Sequence, residues 1–282
     1  MPAVKDNDVK MQPTRFVHYK KSSIAYHVYG QGKAPVFCLH GFSLTGSAYA
    51  GLGKLCSPGK MLFALDFPLH GQTDWKEAEL TADILLQIFQ LITQQELNTE
   101  LERFDLMGHS MGGRIALYMY QCFPEKVTKL LLLAPDGLKR SFGHRFLFRT
   151  QLGPKIFKRL SDSSKRIMAL THLAYQSHII NRSVYNLIRS SYEDEDTAHL
   201  VYARLMVTRH FYPDATVIKK EINDYKTPVY LFFGQYDSIV PCRLGKYLKE
   251  GAEDFVQIQT LLSGHLLLAN EETLADIAAA IG

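Results

Sequence analysis

Apolar and polar positions follow two different rhythms along this chain. Near the start, TRFVHYK at 14–20 and SSIAYHVYG at 22–30 alternate and are rich in β-branched and aromatic residues, which predicts a hairpin of two strands. From residue 35 the polar positions thin out. PVFCLH at 35–40, MLFALDF at 61–67, RFDLMGH at 103–109, KLLLLA at 129–134, VYLFFG at 229–234 and FVQIQTLL at 255–262 are short, mostly apolar runs, the pattern of strands buried on both faces of a parallel sheet. Parallel neighbours need crossover helices, and helix-like stretches fall at 78–97, 111–122, 242–250 and 271–281. The expectation is an α/β fold: an eight-stranded, mostly parallel sheet flanked by helices.

One connection is out of scale. Between the strands ending near Ala134 and starting at Val229, a long stretch includes IFKRLSDSSKRIMALTHLAYQ and SVYNLIRSSYEDEDTAHLVYARLMVTRHF, both helix-like. This predicts a helical cap at 138–210, inserted after the sixth strand into a core made of 1–137 and 211–282. Charge sharpens the division. The whole chain carries +4, yet 138–210 holds 13 Lys and Arg against 5 Asp and Glu, so the remainder is net acidic. The basic part contains KRSFGHRFLFRTQLGPKIFKRL at 139–160, with Phe142, Phe146, Phe148 and Phe157 among the cations. It suits a pocket for an anionic or amphipathic small molecule, or a face that touches an anionic membrane. The plainer reading is a solvated helix surface with its aromatics packed inward.

Composition narrows the class further. Hydrophobic residues make up 46% and charged residues 21%, an ordinary globular balance. MPAVKDNDVKMQPTRF, the first sixteen residues, has no apolar core of a signal peptide, so the expected location is cytoplasmic. No run approaches a membrane span, and nothing suggests nucleic-acid binding. Cys38, Cys56, Cys122 and Cys242 are scattered without metal-ligand or redox spacing, so neither a disulfide framework nor a metal site is expected.

The chemistry concentrates at strand ends. GHSMGG at 108–113 sets Ser110 between a buried strand and a helix, with Gly108 and Gly112 two positions to either side, the pattern of a tight turn that presents a nucleophile. A serine hydroxyl needs a base. Of eleven histidines, His265 lies in the loop after the last strand, in LLSGHLLL, and Asp237 follows the preceding strand in LFFGQYDSIVP. The chain order Ser110, Asp237, His265 runs nucleophile, acid, base.

With LHGF at 39–42, DFPLHGQT at 66–73, GHSMGG at 108–113, FFGQYDSIVP at 232–241 and SGHLLL at 263–268 in this order, the sequence resembles the α/β-hydrolase fold family. The resemblance implies Ser110 as nucleophile, Asp237 as acid and His265 as base, with an oxyanion hole formed by the backbone N–H groups of Phe42 and Met111. It implies no cofactor. Met111 suits that role because amides at a helix start lack intrahelical acceptors. Asp136, after the sixth strand, is a rival acid, since some members take theirs from there. Leu69 departs from the family, which commonly has glycine there, and so puts the local turn in question. His40, His70 and His109 read as structural.

The expected function is hydrolysis of a small carboxylic ester or related acyl substrate through an acyl-enzyme. The family also contains carbon–carbon bond hydrolases and a menaquinone-pathway lyase with similar elbows, which bind substrate carboxylates through arginine; Arg114, Arg140, Arg145, Arg182 and Arg189 are available here. A third possibility is a small-ligand receptor, because receptors on this fold can keep the triad. The fold hosts many reactions, so the residues of the site and of the inserted segment decide the substrate.

Overall fold

The computed structural model describes residues 13–139, 150, 152–192 and 194–282. Phe142, Phe146, Phe148, Arg140 and Arg145, singled out above, lie outside these residues.

Eight strands form one sheet in the order β1-β2-β4-β3-β5-β6-β7-β8. β1 (Arg15–Tyr19) and β2 (Ser22–Gly30) make the expected antiparallel hairpin, and β2 also runs antiparallel to β4 (Lys60–Leu65). β3 (Ala34–Leu39), β5 (Phe104–His109), β6 (Val127–Leu133), β7 (Val229–Gly234) and β8 (Val256–Leu261) continue in parallel from β4. Leu39, Gly108 and Leu132 are paired across β3, β5 and β6, so the C-terminal ends of the central strands line up at one edge of the sheet. That edge is where an open parallel sheet offers a crevice for ligands, and β3, with β4 on one side and β5 on the other, marks the switch in connection direction.

The apolar runs are continuous because both faces are covered. Every residue of β5 is buried, as are the last four of β3, β4, β6 and β7. β8 differs from expectation: Gln257, Gln259 and Thr260 are exposed, because the strand is the sheet's edge and is covered less fully than the central strands.

The α-helices among the described residues are α1 (Ala50–Gly53), α2 (Ala82–Leu97), α3 (Met111–Cys122), α4 (Gly153–Ser161), α5 (Ser164–Gln176), α6 (Arg182–Ser191), α7 (Glu195–Val207), α8 (Ala215–Tyr225), α9 (Lys246–Lys249) and α10 (Glu271–Ile281). The stretch expected as helix from 78 begins at Ala82, because Thr81 caps it by accepting from the Ile84 N–H at 3.3 Å. The stretch at 242–250 resolves into a tight turn, Cys242–Gly245, followed by the single turn α9. α8, which is not among the helices expected from the sequence, starts on Asp214, whose carboxylate accepts from Thr216, and buries Ile218 and Ile222 one turn apart. Among the described residues no helix is long and apolar enough to cross a membrane.

Helices α4–α7 lie between β6 and β7 in the chain and carry a small core of their own, made of Ile167, Tyr192, Ala198 and Val201. Phe42 packs against both this cluster and the main core. Side-chain hydrogen bonds tie these helices to the sheet edge. Asn181 Nδ2 donates to the Ser238 carbonyl at 2.8 Å, Ser183 and Ser238 share a hydroxyl bond of 2.6 Å, and Arg204 Nε donates to the Leu69 carbonyl at 2.9 Å.

The turn after β4 forms despite Leu69. Asp66 accepts from the Gly46 and Gln72 amides at 2.7 and 3.1 Å, while Thr73 Oγ1 donates to the Asp66 carbonyl at 2.7 Å. Leu69 itself sits at φ +64°, in the left-handed region where a Cβ is crowded. Leu69→Gly should relieve that crowding, offset in part by greater freedom of the unfolded chain, for a net gain of roughly 0.5 kcal/mol. Urea unfolding would register it as a higher midpoint at unchanged slope; a lower midpoint would mean that the half-buried side chain matters more than the backbone.

Candidate active site

The elbow is built by close packing. A Cβ on Gly108 would come within 2.3 Å of the Gly112 carbonyl oxygen, and one on Gly112 within 1.9 Å of the Leu39 carbonyl oxygen, so β5, α3 and β3 meet only because both positions are glycine. The turn forces Ser110 to φ 52°, ψ −114°, a conformation sparsely populated by any residue with a side chain. Its backbone is held on both sides: Ser110 N–H donates to the Leu133 carbonyl at 2.9 Å, and its own carbonyl accepts from Arg114 and Asp136 at 3.1 and 3.0 Å.

Ser110 Oγ lies 2.9 Å from His265 Nε2, and His265 Nδ1 lies 2.7 Å from Asp237 Oδ2. The three side chains come from the loops after β5, β7 and β8, which the parallel register brings to the same edge. Asp237 is buried, and its second oxygen accepts from the Ile239 and Val240 amides at 2.8 and 2.9 Å. Burial alone would raise its carboxyl, but the bond from His265 and the two backbone donors outweigh this and hold it below the usual carboxylate range. Asp136 is placed differently. Its carboxylate accepts from the Gly137 amide at 2.7 Å, stands 3.7 Å from Arg114 Nη1 and is about half exposed.

Three histidines hold the loops. Burial pushes His40 down to about 3 and His109 to about 4, so both are neutral at pH 7. His109 Nε2 donates to the carbonyl of His265 at 2.9 Å, fixing the loop that carries the imidazole. His40 Nδ1 donates to the Gly41 carbonyl at 2.7 Å, and its Nε2 accepts from the Phe67 amide at 3.0 Å. The Gly41 carbonyl accepts from Leu44 N–H as well, at 3.0 Å. A trans peptide sets N–H opposite C=O, so pinning that carbonyl turns the Phe42 N–H the other way. The same logic applies at Met111. The Ser110 carbonyl points down α3 toward Arg114, and the Met111 N–H at the helix start points out of it. His70 places Nδ1 2.9 Å from the Pro68 carbonyl and Nε2 2.6 Å from the Phe42 carbonyl, and packs edge-on against the Phe42 ring.

The described arginines Arg114, Arg182 and Arg189 do not converge. Arg114 is not in the inserted segment; it lies buried on α3 beside Asp136. Arg182 and Arg189, on α6, are exposed. Arg204, which no sequence motif singles out, is the half-buried guanidinium that fastens α7 to the turn at Leu69. No three His, Cys, Asp or Glu side chains among the described residues come together as a metal site requires, and all four cysteines are free thiols.

Comparison with known proteins agrees with this architecture. The family model described as alpha/beta hydrolase fold matches residues 34–268, and the chain belongs to that family. It is an enzyme of the hydrolase class. An uncharacterized hydrolase of Bacillus subtilis, YugF, is 23% identical over 243 residues, which cover 86% of each chain. The human monoacylglycerol lipase ABHD6 is 30% identical over 139 residues, covering 48% of this chain and 41% of the lipase, so less than half of that protein's length is matched. Among solved structures, the α/β-hydrolase MGS-M2 from a deep-sea metagenome library superposes with a TM-score of 0.64 at 16% identity, over 95% of this chain and 96% of its own, a likeness of fold.

Proposed function

We propose that this hydrolase cleaves carboxylic esters or related acyl compounds by serine catalysis. The observation that carries the reading is the unbroken line of hydrogen bonds from Asp237 through His265 to Ser110, ending on a serine held in a conformation its own side chain disfavours. As Ser110 Oγ attacks the acyl carbon, its proton passes to His265 Nε2. The carbonyl oxygen becomes an oxyanion facing the Phe42 and Met111 N–H groups, each donor worth about 3 kcal/mol to such an intermediate. Collapse breaks the acyl–oxygen bond, and His265 returns the proton to the departing alcohol. Water then gives a proton to His265 and attacks the acyl-enzyme, releasing the acid and restoring Ser110. No step needs a cofactor.

In this reading, residues 138–210 form a cap over the site. Asn181 and Ser183 anchor it beside the acid's loop, and Arg204 anchors it beside the Leu69 turn. The names of the relatives, a hydrolase and a lipase, support ester chemistry.

A fluorophosphonate probe tests the proposal. The expected result is one covalent adduct on the Ser110 peptide by mass spectrometry, with loss of p-nitrophenyl ester turnover in proportion to labelling. Absence of the adduct overturns serine catalysis. An adduct on a protein that turns over no ester would instead favour a ligand receptor.

A further inference from the structure

The inserted helices enclose a cavity of about 440 Å³ whose walls are almost wholly apolar. Phe157 from α4, Ile167 and Leu170 from α5, Leu187 from α6 and Val201 from α7 line it, together with Phe42 from the loop after β3. Phe42 joins the cavity to the candidate active site within a single residue: its side chain is a wall, and its amide is the oxyanion donor of the proposed mechanism. None of the described lining residues carries a charge. Lys155, Lys158, Arg159, Lys165, Arg166, Arg182 and Arg189 of these helices are exposed instead, and Arg204 is turned to the Leu69 carbonyl. Leu170 and Leu187 line the cavity and are also exposed, 50% and 40%, so the opening itself is apolar.

An apolar slot of this size, with no charge among its described walls, rewards burial of methylenes and penalises any buried charge that finds no partner. We propose that this cavity receives the unbranched aliphatic chain of a neutral ester, a lipid-like substrate, with the ester carbonyl at Phe42. The assignment rests on the serine-hydrolase reading and deepens it. It favours a neutral substrate over the anionic one that the basic segment suggests, because none of the described cations lines the cavity. The chain belongs either to the acyl or to the alcohol part of the ester, and the two sources are separated by experiment.

The test compares kcat/KM for p-nitrophenyl acetate and octanoate with that for methyl and octyl acetate, in the wild type and in Val201→Trp, which places a large ring in the cavity. Wild type should prefer the longer chain in one of the two series by about tenfold or more. The series that shows the preference names the part that is bound. An octanoate-length ester ending in a free carboxylate should react at least about tenfold more slowly than its neutral counterpart. In Val201→Trp the ratio of long to short substrate should collapse toward one. Leu187→Asp, at the opening where a polar side chain can stay solvated, should shift the ratio the same way and guards against a misfolded Val201 variant.

A flat chain-length profile on protein that still takes up fluorophosphonate at Ser110 overturns the cavity assignment and leaves serine catalysis standing. A faster reaction with the carboxylate-ended ester also overturns it. A third readout separates the two readings: Ser110→Ala should still bind a fluorescent polyene fatty alcohol that Val201→Trp does not. If the wild type binds this probe but neither labels nor hydrolyses any ester, the ester part of the assignment falls together with the catalytic reading.

Discussion

Ser110→Gly is expected to abolish hydrolysis and to make the protein more stable at the same time. Loss of the nucleophile should lower kcat by about a million-fold, as removal of a serine nucleophile does where the base and acid depend on it. The gain in stability has a separate origin. At φ 52°, ψ −114° the serine occupies backbone space that costs a residue with a side chain about 1–3 kcal/mol, and glycine enters it freely. The extra freedom of glycine in the unfolded chain returns about 0.4–1 kcal/mol of that. Helix capping adds little to the balance, because the Ser110 side chain makes no capping bond to α3. A net gain of about 1 kcal/mol corresponds to a rise of about 2 °C in Tm for a domain of this size. Ser110→Ala provides the control: it should be as inactive as the glycine variant without the rise, since alanine keeps the Cβ. Residual turnover near wild type in either variant would remove Ser110 from the mechanism. Equal Tm for the glycine and alanine variants would mean that the elbow stores no strain.

The same residue shows what a sequence can and cannot disclose. Ser110, Asp237 and His265 stand out because each follows a strand end closely, in a turn or loop that is a local feature written in a few consecutive letters. The mostly apolar runs likewise mark β3 to β7, since burial on both faces leaves few polar positions. The edge position of β8 does have a visible signal: Gln257 and Gln259 alternate with Ile258 and Val256, which is the rhythm of a strand with one solvated face. For α8 the signal is the Asp214 cap and the Ile218 and Ile222 pair, hidden by Pro213 just ahead of them. The positioning role of His40 leaves no trace, because it depends on a carbonyl whose direction is set by the Leu44 turn. The apolar cavity is equally silent in the sequence. Four helices each turn one apolar stripe toward it, and the angle between those stripes is decided by tertiary packing.

Asp237→Asn should lower kcat by about ten-thousand-fold, whereas Asp136→Asn should stay within about threefold of wild type. The two carboxylates make the difference in their contacts. Asp237 Oδ1 is fixed by the Ile239 and Val240 amides, so the oxygen of an asparagine would keep that position and its NH2 would face His265 Nδ1. Two donors cannot share that bond. The imidazole would move its proton to Nε2, the atom that must be free to take the Ser110 proton, and the base would present the wrong tautomer to the nucleophile. The substituted amide would also lack the negative charge that stabilises the imidazolium formed in the step. At position 136 the carboxylate accepts from the Gly137 amide and otherwise faces solvent and Arg114, contacts that an asparagine largely reproduces and that do not reach His265. Side-by-side kinetics on one p-nitrophenyl ester, with circular dichroism to show that both variants are folded, would measure the contrast. A larger loss in Asp136→Asn than in Asp237→Asn would transfer the acid to the loop after β6. That outcome would require the loop carrying His265 to swing toward Arg114, giving up the bond from His109 to the His265 carbonyl that now holds it over Ser110.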